Sequence, residues 1–263
     1  MKLRLPIDSA KDTGPGPKKI RADGREWNQM RLATIELDPL PWAEGSALIK
    51  CGGTWVMCAA TVTDFTPDHA RSARKGWINA EYSLLPRATM QRTPRERQNG
   101  ARGRTKEIER FIGRSLRAAV NLKMLAGYSI MIDCDVLRAD AGTRCASVVG
   151  GFAALARACA KMREQKKIKR DPIKTLISAV SVVITHQGQI IIDPTFEEDS
   201  NAEVDMNIAM TGEGRFVELQ GAGEAAPFND RELHEMLDLG REGCEKLFAL
   251  QRAVLGLEPS ATT

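Results

Sequence analysis

The stretch Ser129-Ile130-Met131-Ile132-Asp133-Cys134-Asp135-Val136-Leu137-Arg138-Ala139-Asp140-Ala141-Gly142-Thr143-Arg144 reads as a strand, a tight turn and the start of a helix. Ile130, Ile132, Cys134 and Val136 lie two apart, the period that sets one face of a strand against a core, with Asp133 and Asp135 on the other face. Asp140-Ala141-Gly142 makes the turn. From Gly142 a helix runs on through Val149, Phe152, Leu155, Cys159 and Met162. A strand that delivers its chain directly into a long apolar helix is a building unit of layered α/β and α+β domains.

Strands and helices continue to alternate on either side, without an exact repeat. Upstream, Ile108, Ile112, Leu116 and Ala119 recur at helical spacing, with Glu107, Arg110, Arg114 and Arg117 on the opposite face. Earlier still, two β-rich runs between Ser46 and Thr63 flank Gly52-Gly53, a hairpin signal. Downstream, a charged connector from Arg163 to Pro172 precedes two more hairpins. Leu176–Thr185 and Gln189–Asp193 turn at Gln187-Gly188; Glu203–Met210 and Arg215–Gln220 turn at Gly212-Glu213-Gly214. A last helix starts near Asn229, whose spacing to Glu232 is that of a capping box. Both halves run hairpins first and a helix after, and the residues leave α/β and α+β equally open.

The 263 residues suffice for a substantial core, and 43% of them are hydrophobic. The N-terminus lacks the apolar segment of a signal peptide, and no continuous apolar run approaches a membrane span. Residues 1–20, with Gly14-Pro15-Gly16-Pro17, are expected to form a flexible extension. Six cysteines without a CxxC pair, and three scattered histidines, argue against zinc and for reduced thiols in the cytoplasm. Aromatic residues make up only 5%, too few for recognition of single-stranded bases by stacking alone.

Charge is the sharper clue. Between Arg71 and Arg117 thirteen Lys/Arg stand against four Asp/Glu, a local +9 in a chain of net +4, so the remainder sums to −5. Cations gathered in one segment of an otherwise acidic chain suit a polyanion. The loop from about Pro86 to Gly103 carries Arg87, Arg92, Arg95 and Arg97, and arginine forks phosphate better than lysine does. Gly103-Arg104-Thr105 opens a helix with an arginine at the positive end of the helix dipole, where a cation is unfavourable unless it meets an anion. Gly142-Thr143-Arg144 offers unpaired N–H groups, a hydroxyl and a guanidinium at a second helix start, though a merely capped helix reads the same. The acidic stretch Asp193–Asp205 contains Asp199 and Asp205. Carboxylates beside a phosphate site either hold Mg²⁺ or supply a proton to a leaving group; the plain alternative is a charged loop.

These blocks, in this order, resemble the ribonuclease PH family of phosphate-dependent 3′-5′ exoribonucleases (tRNA nucleotidyltransferases). The resemblance runs from about Arg21 to Leu250. It covers Ala22-Asp23-Gly24-Arg25, Gly76–Tyr82, Leu85–Thr89, Gly103–Ile108, Ile112–Arg117, Ile132–Val136, Gly142–Arg144, Glu198–Ser200 and Glu203–Asn207. It implies an α+β fold of two β-α-β modules with mixed sheets flanked by helices, as a single catalytic domain over 21–255 with a tail at 256–263. It further implies that Arg104, Gly142, Thr143 and Arg144 bind inorganic phosphate, the co-substrate, and that Asp199 and Asp205 act at the scissile bond, with Mg²⁺. Arg87, Arg92 and Arg95 are implied to hold the RNA 3′ end and take part in assembly. The implied partners are tRNA precursors and other RNA 3′ ends, and a second to sixth copy in a hexameric ring, a trimer of dimers; no membrane is involved.

The chain departs from the family pattern in four places, one of them an N-terminal extension longer than expected. Trp27-Asn28-Gln29-Met30-Arg31 stands where Glu-Leu-Arg-Pro is usual, a change expected to lie outside the site. Ala141 replaces a common glycine, and Thr195 stands in place of a carboxylate. The alternatives are a catalytically silent, RNA-threading ring subunit of exosome type, a hydrolytic nuclease using metal-activated water, and a plain RNA-binding module. The first would have lost the phosphate arginines or the aspartates, and the second calls for a denser carboxylate cluster.

Overall fold

A computed structural model describes residues 20–96 and 103–257. The extension expected over 1–20, apart from Ile20, lies outside the described residues, as do Arg97 and residues 258–263. The chain order is β1 (Ala33–Leu37), β2 (Gly45–Cys51), β3 (Thr54–Thr63), α1 (Asp68–Ser72), β4 (Trp77–Leu84), α2 (Gly103–Ala118) and β5 (Ser129–Arg138). It continues with α3 (Thr143–Glu164), β6 (Ile177–Thr185), β7 (Ile190–Ile192), α4 (Phe196–Ser200), β8 (Ala202–Thr211), β9 (Phe216–Gly223) and α5 (Asp230–Leu255).

The strands form two sheets, ordered β1-β2-β3-β5-β4 and β7-β6-β8-β9. All pairs are antiparallel except β4 with β5, which run parallel and are joined through α2, a β-α-β unit. In the second sheet β7 and β8 both pair antiparallel with β6, so they run parallel to each other on its two sides with α4 between them in sequence. This is a β-α-β unit split by a strand. The mixed α+β architecture of two such units thus matches the reading from sequence.

α3 lies at the centre. Fourteen of its residues are buried, from Cys145 to Met162, and it packs against β2, β3 and β5 on one side and β6 on the other. A helix buried on all sides must be apolar all round, which is why α3 also has the length and hydropathy of a membrane span; here its surroundings are protein. No continuous apolar run signals this, because small residues dilute the sequence. Those small residues have a purpose. A side chain at Gly150 would come within 2.6 Å of Ile49 and one at Gly45 within 2.3 Å of the Ala154 carbonyl, so both glycines let helix and sheet approach closely. Phe111, Phe152, Leu155, Ile132 and Phe248 belong to one core spanning both sheets, each fully buried side chain contributing about 1.5–3 kcal/mol. α5 covers the second sheet, starting from the capping box of Asn229 and Glu232. On the other face of β6, Trp27 packs on Val183, Ile191 and Ala202.

Candidate active site

Three chain segments converge where β5 enters α3. The turn before α3 places Ala141 at φ +55° and Gly142 at φ +65°, two successive left-handed residues that reverse the chain. Thr54 stitches this turn to β3: its hydroxyl donates to the Ala141 carbonyl at 2.6 Å and accepts the Asp140 N–H at 3.0 Å. The Ala141 position tolerates its side chain at a cost that the glycine common in the family avoids. Gly142, the N-cap of α3, has no side chain to cap it, and among the described residues the first N–H groups of the helix are left open. The Thr143 hydroxyl lies 2.7 Å from that of Tyr82 on β4.

Arg144, in the first turn of α3, donates to Glu107 at 3.1 and 3.4 Å and to Gln220, while its guanidinium lies 5.9 Å from the Phe111 ring centre. Arg104 is exposed at the start of α2. Arg104 and Arg144 both act electrostatically on Tyr82 and on Asp199, which places the two helix starts around one spot.

The carboxylates come from the second half of the chain. Thr195 caps α4, accepting the Glu198 N–H while Glu198 accepts the Thr195 N–H. The hydroxyl that replaces a carboxylate at this position is thus a helix cap. α4 carries Asp199, whose carboxyl is pushed up to about 6, first by burial and then by Asp205; Arg104, Arg144 and Arg31 pull it back. Asp205, on β8, is also raised by burial, opposed by hydrogen bonds from Ser181 and Asn207, both at 3.1 Å, and by Arg144. Asn207 is itself fixed, its carbonyl 3.3 Å from the Cys145 thiol. Glu203, on the same strand face, faces His186 at 3.5 Å instead and takes no part.

The N-terminal arm supplies what the sequence reading missed. Arg31 forks Asp193 at 3.0 and 2.6 Å, holds the Asp140 carbonyl, and sits 3.2 Å from the Asp140 carboxylate. Arg21 pairs with Glu198 and donates to the Ile192 and Asp193 carbonyls at 2.7 and 3.0 Å. Arg25 reaches the Asp193 carbonyl as well, at 3.0 Å. The Trp27–Arg31 segment, expected outside the site, therefore braces it. Asp193 takes φ +48°, a conformation stabilised by these contacts. The available signal was three arginines within eleven residues of an arm that has few acidic neighbours.

The structure thus brings Arg104, Gly142, Thr143, Arg144, Asp199 and Asp205 together. Arg87 and Arg92 are exposed and line a groove of about 1190 Å³ with Arg138–Asp140 and Thr195–Glu198, segments next in sequence to the turn before α3 and to Asp199. Arg95 lies apart: its charge acts on Asp135, on the face of β5 away from the core.

A core helix between two such sheets is a fold that the chain shares with solved exosome subunits. The archaeal exosome of Archaeoglobus fulgidus, solved with RNA bound to the active site, aligns over 87% of this chain and 91% of its own, with TM-score 0.75 and 24% identity. Rice Rrp46 aligns over 89% and 100%, with TM-score 0.72 and 20% identity. The sequence models of the 3′ exoribonuclease family match residues 29–161 (domain 1) and 175–243 (domain 2), and the chain belongs to that family. Within it, the chain is 50% identical to ribonuclease PH of Bacillus subtilis (strain 168) over 238 residues, covering 90% of this chain and 97% of the relative. Identity to ribonuclease PH of Bacillus pumilus (strain SAFR-032) is 49%, over 90% and 98%.

Proposed function

We propose that this chain is a phosphorolytic 3′-5′ exoribonuclease that shortens tRNA precursors and other RNA 3′ ends, releasing nucleoside diphosphates. The observation that carries the reading is the uncapped start of α3, flanked by Arg104 and Arg144 and opposed by Asp199 and Asp205. Inorganic phosphate sits on the open N–H groups at Gly142–Arg144, with the Thr143 hydroxyl and the two guanidiniums. One phosphate oxygen attacks the phosphorus of the terminal phosphodiester in line, and the bond to the 3′-oxygen of the preceding nucleotide breaks. Two anions must meet, so the arginines chiefly offset repulsion and stabilise charge in the transition state.

The leaving 3′-oxygen takes up a proton. Sequence leaves Asp205 open as general acid or Mg²⁺ ligand, with Asp199 helping to place the metal; we assign the proton donor to Asp199. Both Asp205 oxygens accept hydrogen bonds that oppose the upward push of burial, whereas no such bond offsets burial at Asp199 among the described residues and its carboxyl is pushed up to about 6. Mg²⁺ fits beside them, since it needs only one or two carboxylates and takes further oxygens from substrate phosphate. Asp205, with Asp199 adjacent, would hold it, and when bound it supplies charge neutralisation at the phosphates. A phosphodiester is exchanged for a phosphoanhydride, so the reaction is reversible. Arg87 and Arg92 guide the RNA strand along the groove. We assign a hexameric ring, a trimer of dimers, and a cytoplasmic location, the latter supported by six buried unpaired thiols.

The test is incubation with Mg²⁺ and a tRNA bearing extra 3′ nucleotides, with and without inorganic phosphate. Nucleoside diphosphates released only with phosphate are expected, and Arg104→Ala should abolish the release while RNA binding persists. Monophosphates without phosphate would make the chain a hydrolase. RNA binding with no release would make it a silent ring subunit.

A further inference from the structure

Arg144 does not hang free at its helix start. Its side chain is only 16% exposed, and its donors are divided in a particular way. Nη1 donates to Glu107 at 3.1 Å and also to Gln220, and Nη2 donates to the second Glu107 oxygen at 3.4 Å. A guanidinium has five N–H groups, so these contacts take up the end-on fork and leave Nε and one Nη2 hydrogen, the side-on fork, without a partner among the described residues. That remaining edge is sufficient for a bidentate phosphate.

The acceptors are themselves held. Gln220 donates its amide N–H to Glu218 at 2.9 Å, which obliges its carbonyl oxygen to face Arg144. Glu218 in turn is gripped by Arg114 through Nε at 2.6 Å and through Nη2. Glu107 stands one helical turn beyond Arg104 on α2, so a single helix face presents one arginine to the site and orients the other. The strap Arg114–Glu218–Gln220–Arg144–Glu107 therefore runs from α2 across β9 to α3, joining residues matched by the two family domain models.

We propose that Glu107 and Gln220 are positioning residues for phosphate binding: they fix Arg144 by its end-on fork and thereby turn its side-on fork toward the anion. This rests on the reading that Arg144 receives inorganic phosphate. Gln220 acts from the second half of the chain, so the phosphate site reaches its full affinity only when β9 is docked on α2.

The experiment is a set of steady-state measurements on the full chain with Glu107→Ala, Glu107→Gln and Gln220→Leu, varying inorganic phosphate and RNA separately. Loss of a hydrogen bond to a charged group should raise KM for phosphate about tenfold in Glu107→Ala and Gln220→Leu. KM for RNA and the rate at saturating phosphate should stay near those of the parent. Glu107→Gln, which keeps an acceptor oxygen, should be the mildest. Protection of each variant against heat by inorganic phosphate alone should fall in the same order, a readout independent of turnover. A lowered KM for phosphate in Glu107→Ala would make Glu107 a competitor of the anion and overturn the proposal. So would parallel losses in both KM values and in the saturated rate, the mark of a scaffold role, or unchanged constants throughout. If the parent chain itself needs no phosphate, it is the phosphorolytic reading that fails.

Discussion

Arg31 and Asp193, 162 positions apart in sequence, are joined by two side-chain hydrogen bonds of 3.0 and 2.6 Å and by a third from the Arg31 backbone N–H at 2.8 Å. Both side chains are nearly sealed from water, and Arg31 also holds Asp140 in the turn before α3. Removing the Arg31 side chain leaves a buried charge poorly compensated, since among the described residues the backbone N–H at position 31 and Arg25 at 3.5 Å remain beside the Asp193 carboxylate. Arg31→Met should therefore cost roughly 3 kcal/mol and lower Tm by about 6–10 °C. It should also weaken phosphate binding by loosening the turn. Thermal unfolding with and without phosphate measures both, and a change in Tm of a degree or less would show that the pair does not brace the site.

The raised Asp199 pKa has two consequences of definite sign. With its folded value near 6 against an ordinary 3.8, the folded chain binds the extra proton between those values. Stability from this group is thus fully present below pH 4 and is lost as pH rises through 6. Asp199→Asn, measured in EDTA, should gain about 1 kcal/mol over the parent at pH 8, after allowance for solvent screening, and nothing at pH 4. Turnover in the parent, if Asp199 donates the proton, should decline above pH 6, and the Asn variant should lose both activity and that limb. An Asn variant less stable than the parent at pH 8 would contradict the strained carboxylate.

Ala141 holds a left-handed backbone at φ +55°. Such a conformation costs a residue with a side chain about 1–2 kcal/mol, while glycine costs about 0.4–1 kcal/mol through the unfolded chain. Ala141→Gly should then stabilise by a net of roughly 0.5 kcal/mol and leave phosphate affinity unchanged, which chemical denaturation and phosphate titration would register. A destabilised variant would mean that the methyl group packs favourably and offsets the strain.

Arg92 is exposed on the groove wall and should contact an RNA phosphate. Its loss should weaken RNA binding and reduce the slope of log K against log salt by about 0.7, the counterion release of one single-strand contact. Binding isotherms at several salt concentrations would test this, and an unchanged slope would remove Arg92 from the interface.

Local pattern made much of this molecule legible. The alternation in β5, the helical repeat in α2 and the capping box of Asn229 each depend on neighbours within a few residues, and each appears where the sequence placed it. α4 escaped notice because a five-residue helix is too short for periodicity; only the Thr195–Glu198 cap betrays it. β1 is equally short, with a single buried residue. The site divided in the same way. Arg104 and Gly142–Arg144 lie at helix starts that the chain announces, and Asp199 and Asp205 within one acidic stretch. Arg31, Tyr82 and Gln220 act through partners 162, 61 and 76 positions away, and no local spacing carries that information.

The pairing of Arg21 with Glu198 spans 177 positions. During synthesis at about 5–20 residues per second, some 10–35 s separate the emergence of the two partners. By the end of that interval the first sheet and α3 have been made, yet the arm that steadies the turn before α3 has nothing to hold, and neither Asp199 nor Asp205 has been added. A nascent chain therefore carries the cationic half of a nuclease without its acid half. On the proposed reading, such a chain displays its phosphate-binding arginines before it has the carboxylates that complete the site.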